Sequence, residues 1–303
     1  MSAIGQYVLN GLMQGTIYGL VAMGFTIFFG VMNVIKFSHG DVMTFGAFGA
    51  LVAATAAAAA GLPVGVQILA AVSTAVGLAA LLGAGISRLL ILPLRTAPPL
   101  NLLLMTMMVG TVIREAIRLF FPNGTNSQRF PALLPSGGAT VGGVFVRYDG
   151  LILMVAGLLI IAVVHHIINR TRFGLAMRAV AEDQETARTM GVNFFRVVPL
   201  TFALGSATAG FAGVISGLYY SEINYGMGLL IAVIGFSAAI VGGLGNLWGA
   251  ILGGYLFAGL QTVVVATLPT FSEYKNVVAF VAVIALITWR PTGLLAERAS
   301  ERV

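Results

Sequence analysis

"GLILMVAGLLIIAVVHHIINRTRFGLAMRAVAEDQETARTMG", residues 150–191, is written for two solvents. The run from 150 to 169 contains no Asp, Glu, Lys or Arg, and about 20 mostly apolar residues are enough to span a bilayer as a helix. From Arg170 onward, arginines and acids crowd together until Gly191 closes the run. The same alternation governs the whole chain. Hydrophobic residues make up 58% of 303 positions and charged residues 9%. A soluble domain carries about a quarter charged residues, so lipid must be the main solvent here.

Apolar segments fall at about 7–30, 42–60, 64–87, 99–121, 150–169, 199–220, 228–244, 247–268 and 276–290. They predict an all-α, polytopic membrane protein, one transmembrane domain over 1–303. It has nine crossings, or eight if the pair flanking "GGLGNLWG" (242–249) is one broken or re-entrant element. The 39 glycines suit close packing of membrane helices. With no cysteine, disulfides and thiolate chemistry are excluded. The start, "MSAIGQYVLNGLMQG", has no basic residue before its apolar run, unlike a cleaved signal, and reads as a retained first helix.

The net charge of +6 reflects basic cytoplasmic loops rather than nucleic acid binding. With the loop at about 170–198 inside, Lys36, Arg88, Arg95, Arg290, Arg298 and Arg302 fall inside too. Arg114, Arg118, Arg129, Arg147 and Lys275 fall outside, a split of eleven against five. Nine crossings then put the N-terminus outside and the C-terminus inside. The outer loop at about 122–149 is rich in turn residues and holds no domain.

The charged loop is expected to hold one short helix of about eight to ten residues, ended by Gly191. It is either a solvated connection or a docking element for a cytoplasmic partner. The chain has no phosphate-binding loop of the G-x-x-x-x-G-K-[ST] kind: Lys36 and Lys275 are its only lysines, and neither follows a glycine. Within the expected spans, apart from Arg290 at the very end of the last, only Arg114, Glu115 and Arg118 are charged, with Glu115 and Arg118 at pairing distance on a helix. Nothing resembles a proton relay. If the protein pumps, its energy comes from another subunit.

At this loop the sequence resembles a known family. Glu185-Thr186-Ala187 followed by Gly191 resembles the E-A-A-x-x-x-G signature by which ABC-importer permeases contact their ATPase, with Thr186 in place of the middle alanine. The fuller run "RFGLAMRAVAEDQETARTMGVN" is similar to the branched-chain amino acid permeases of that superfamily. So are "IFFGVMNVIKFSHGDVMTFGAF", "AAIVGGLGNLWGAILGG" and "YKNVVAFVAVIALITWRPTGLLA". Lys36 departs from the small polar residue of that pattern. The resemblance implies the shorter of two paired permeases in the bacterial inner membrane. Its partners would be a longer permease subunit, two ATPase subunits carrying ATP-Mg, and a periplasmic solute-binding protein. It implies no cofactor on this chain and no enzymatic activity of its own. Solutes of the family include branched-chain and other amino acids, urea and short amides.

The coupling residues are then Glu185, Ala187, Arg188, Met190 and Gly191. Ala187 and Met190 would enter a cleft on the ATPase, and Glu185 and Arg188 would make rim contacts. Candidate pathway or gate residues are Asn33, His39, Gly40 and Asp41, together with Gly243, Gly245 and Asn246. His39 and Asp41 are read either as a polar helix cap or as an inner gate. The glycine stretch is read either as a tight turn or as a helix break at the solute path, with Gly245 the sterically tight position. The rival reading is a self-sufficient passive channel. An intramembrane enzyme is a poor reading, since no H-E-x-x-H, paired intramembrane acids or Ser–His arrangement is evident.

Overall fold

The structure, a computed structural model, describes residues 2–295. Arg298 and Arg302, expected on the basic side, lie outside the described residues. Among the described residues, nine long helices form one bundle: α1 (Ser2–Met32), α2 (His39–Ala59), α3 (Val64–Ile86), α4 (Pro99–Phe120), α5 (Tyr148–Arg170), α8 (Phe194–Tyr220), α9 (Met227–Gly242), α10 (Leu247–Thr267) and α11 (Lys275–Trp289). They coincide with the nine expected apolar segments. Eight helical segments are long and apolar enough to cross a membrane; α9, with 16 residues, is shorter.

α1 is apolar on every side and is correspondingly buried, packed against α10, α8, α9 and α5. The perimeter helices α3, α4, α5 and α11 turn leucines and valines outward, among them Leu81, Val112, Leu159 and Val281. In an aqueous protein such a surface would aggregate; in lipid it is the solvated face.

The two ends of the bundle differ. One carries small ribbons: β1 (Gln128–Arg129) pairs antiparallel with β4 (Glu222–Ile223), and β2 (Gly138–Val141) with β3 (Val144–Arg147). Gln14, in the N-terminal half of α1, donates to Tyr220 Oη at this end, 3.2 Å away. The other end carries α6 (Arg172–Glu182) and α7 (Gln184–Thr189), so the charged loop holds two helices, not the single one expected. The break falls at Asp183, whose side chain caps α7 by accepting from the backbone N–H groups of Glu185 and Thr186 at 2.8 and 3.1 Å.

Two expectations about charge need correcting. α2 does not begin at the end of the bundle. The chain reverses at Asn33 (φ 52°), and residues 34–38 run back into the interior. Lys36 is therefore fully buried rather than sitting in a basic loop. Asp41, in the first turn of α2, lies beside Gly110 at the middle of α4. The charged residues within spans thus include Asp41 as well as Arg114, Glu115 and Arg118.

Candidate functional site

The α6–α7 end is built from local capping. Thr171 Oγ1 accepts from Gly174 N at 3.0 Å and starts α6. The hydroxyl of Thr186, at the position where the signature carries alanine, donates to the capping Asp183 carboxylate at 2.9 Å. The cap is thereby held from two directions. Gly191 has φ +87° just past the end of α7, and Val192 N donates back to Ala187 O at 2.9 Å, so the chain turns into α8 at once.

This geometry changes one expectation. Ala187 is 4% exposed and packs within its own chain, so it positions α7 rather than projecting outward as expected. Met190 is 81% exposed and is the apolar group presented outward, with exposed Glu185 and Arg188 on the same short element. Beside it lies a cleft of about 690 Å³ lined by Arg88, Arg95 and Arg196. Phe195, which also lines the cleft, holds one of its arginines by cation–π contact, Arg95 at 5.3 Å from the ring centroid, and Arg188 of α7 at 6.0 Å. Sequence order hid this cluster, because Arg88 and Arg95 come from the α3–α4 side of the chain.

Asn33 is brought to the same end. It lines a cavity of about 410 Å³ with Asp183 and Glu185. A second cavity, about 650 Å³, adjoins the end of α1 and is lined by Gly245, Asn246, Trp248, His165 and Arg178. The α1 terminus (Gly30, Val31) borders both cavities, so α6, α7 and the glycine turn converge on it.

The glycine stretch is a tight turn between α9 and α10, not a re-entrant break. Asn246 caps α10 by accepting from Gly249 N at 3.0 Å. Gly243 and Gly245 have φ of +110° and +96°. The steric tightness lies elsewhere than expected: a Cβ on Gly245 would meet nothing within 4 Å, whereas one on Gly242 would overlap the Gly249 carbonyl. The residues after α11 also reach this turn, with Leu294 N and Leu295 N donating to the carbonyls of Val241 and Gly242 at 2.8 and 2.9 Å.

His39, Gly40 and Asp41 sit apart from these groups, in the interior. His39 is fully buried between the rings of Phe25 and Phe28, with centroids at 4.9 and 5.1 Å, and neither ring nitrogen has a hydrogen-bond partner of normal geometry. The backbone of Gly40 packs on Gly228 of α9. Asp41 is not a cap: Arg114 Nε donates to its Oδ1 at 2.9 Å and Nη2 to Oδ2 at 3.3 Å. Lys36 Nζ donates to Ser206 Oγ at 2.8 Å and lies 4.9 Å from the Phe28 ring centroid. The Asp41–Arg114 pairing was not foreseen; the opposite charges alone marked it, 73 positions apart. Glu115 and Arg118 pair at 2.6 Å, as their spacing predicts. Among the described residues no group of three or more His, Cys, Asp or Glu is placed to hold a metal ion.

Residues 7–287 match the family described as "Branched-chain amino acid transport system / permease component". The chain is 33% identical over 303 residues to the high-affinity branched-chain amino acid transport system permease protein BraD of Pseudomonas aeruginosa, covering 98% of this chain and 97% of that protein. It is 31% identical over 305 residues to permease protein LivH of the corresponding Escherichia coli system, again covering 98% and 97%. The LivM permease of the same organism is similar over a shorter stretch, 27% identical over 159 residues, which is 50% of this chain and 36% of that protein.

Proposed function

The chain belongs to the branched-chain amino acid transport permease family, and from that footing we propose that it works as one permease subunit of an ATP-driven importer in the inner membrane. A longer permease is its membrane partner. Two ATPases bind the α6–α7 end and carry the ATP-Mg, and a soluble binding protein delivers solute at the ribbon end. The solute is a branched-chain or related amino acid.

The exposed Met190 at the C-terminal cap of α7 carries this reading. A six-residue helix is too short to be stable alone, yet here it is tied at both ends and presents a large apolar side chain between charges. Apolar anchors ringed by polar groups are what a protein partner takes. The charge distribution supports the sidedness. Among the described residues, Arg88, Arg95, Arg170, Arg172, Arg178, Arg188, Arg196 and Arg290 belong to the α6–α7 end. Only Arg118, Arg129, Arg147 and Lys275 belong to the ribbon end, and basic residues favour the cytoplasmic side.

The test is co-purification of the ATPase and solute-stimulated ATP hydrolysis in reconstituted membranes. Met190→Asp is expected to reduce both without changing the thermal stability of the permease. Intact assembly and stimulation would refute the docking role.

A further inference from the structure

At the ribbon end, α1, α8, α9 and α11 line an open cavity of about 520 Å³ that no part of the coupling machinery uses. Small-molecule sites commonly have volumes of about 300–1,000 Å³ and combine apolar walls with a few convergent polar groups. Both features are present. One wall is apolar, from Leu230, Ile231 and Ile234 of α9. Two opposite charges also line the cavity, Lys275 at the start of α11 and Glu222 on β4, together with uncharged polar groups such as Gln14, Ser216 and Asn224. Neither Lys275 nor Glu222 forms an ion pair with any of the described residues.

The polar wall is prearranged. Tyr18 Oη donates to Gln261 Oε1 at 3.1 Å, and Gln261 Nε2 donates to Asn276 Oδ1 at 2.6 Å. Tyr18 and Gln261 are 6% and 1% exposed, so this chain of bonds is held by the core. It fixes the amide of Asn276 with its oxygen engaged, leaving the amide N–H groups to donate. A cation and an amide donor adjacent in sequence suit a carboxylate, and a separate carboxylate suits an ammonium. The aliphatic α9 wall of the same cavity suits a branched hydrocarbon.

We propose that this cavity is a binding site for a zwitterionic α-amino acid with a branched aliphatic side chain. Lys275 and Asn276 take the α-carboxylate, Glu222 takes the α-ammonium, and the α9 wall takes the side chain. The inference rests on the transport reading above and gives that reading a receiving site on this chain. The cavity opens at the end opposite α6–α7, where a delivered solute would arrive. Neither charge is tied to another side chain among the described residues, so each can meet its counterpart on the solute with no internal salt bridge to break first.

The test uses photo-leucine, a diazirine analogue of leucine, on the assembled transporter in lipid nanodiscs without the binding protein, with labelled residues mapped by mass spectrometry. Labelling is expected on Leu230, Ile231 or Ile234. Free leucine should suppress it; leucinamide, which lacks the carboxylate, and 4-methylpentanoate, which lacks the ammonium, should not. Lys275→Gln and Glu222→Gln are each expected to reduce labelling about tenfold, the loss of one charge-assisted contact. ATPase co-purification is followed on the same samples. Labelling that maps outside this cavity, that ignores both substitutions, or that is suppressed equally by all three competitors overturns the proposal. Loss of ATPase association in the wild-type preparation refutes the importer reading instead and leaves the labelling map to judge the cavity by itself.

Discussion

The ion pair between Asp41 and Arg114 ties the buried start of α2 to the middle of α4, and its two sides are unequal. The Asp41 side chain is 4% exposed and that of Arg114 20%. Removing one partner of a buried pair costs about 3–5 kcal/mol, because the other charge is stranded away from solvent. Arg114→Met strands the deeper carboxylate and is expected to cost near the top of that range. Asp41→Asn strands the shallower guanidinium, which can still donate to the asparagine oxygen, so about 2–3 kcal/mol is expected. The double variant removes both charges. Polar contacts inside membrane proteins couple by about 0.6 kcal/mol on average and up to about 1.7, so the double variant should be less destabilised than the sum by an amount at the upper end of that scale. The assay is a double-mutant cycle on unfolding in mixed micelles, followed by the fluorescence of Trp248 and Trp289. Equal costs for the single variants, or strict additivity, would refute the argument from unequal burial.

Other outcomes follow from the same geometry. Gly242→Ala drives a methyl into the Gly249 carbonyl and is expected to destabilise by about 1–3 kcal/mol. Gly245→Ala has open space and should cost only its positive-φ strain, about 1–2 kcal/mol; the order of the two denaturation midpoints checks this. Lys36→Met, which replaces a buried ammonium that has no carboxylate partner among the described residues, is expected to leave thermal stability unchanged or raised. Lys36→Ala should lower it by about 2 kcal/mol or more through the cavity left beside Phe28 and Phe202. Cysteines placed singly at Thr186 and Thr125 of this cysteine-free chain should react with an impermeant thiol reagent from opposite faces of the membrane; labelling of both from one face would overturn the assigned sidedness.

The membrane class, the nine helical segments and the polar element after α5 were legible from composition and run length. These depend on local quantities: about 20 apolar residues span a bilayer whatever their neighbours. Gly191 as a helix end and the Glu115–Arg118 pair were legible for the same reason, since both are set within one or two turns. The family, too, was carried by contiguous runs such as "RFGLAMRAVAEDQETARTMG". What escaped is what depends on distance across the bundle. Burial of Ala187 depends on how α7 lies against its own chain. The Asp41–Arg114 bond joins residues 73 positions apart, and the arginine cleft joins the end of α3 to the start of α8. The receiving cavity draws Tyr18, Glu222 and Lys275 from three distant segments. Sequence periodicity decides which solvent each helix meets. Only the packing of one helix against another decides which few polar groups, scattered along an oily chain, end up facing each other.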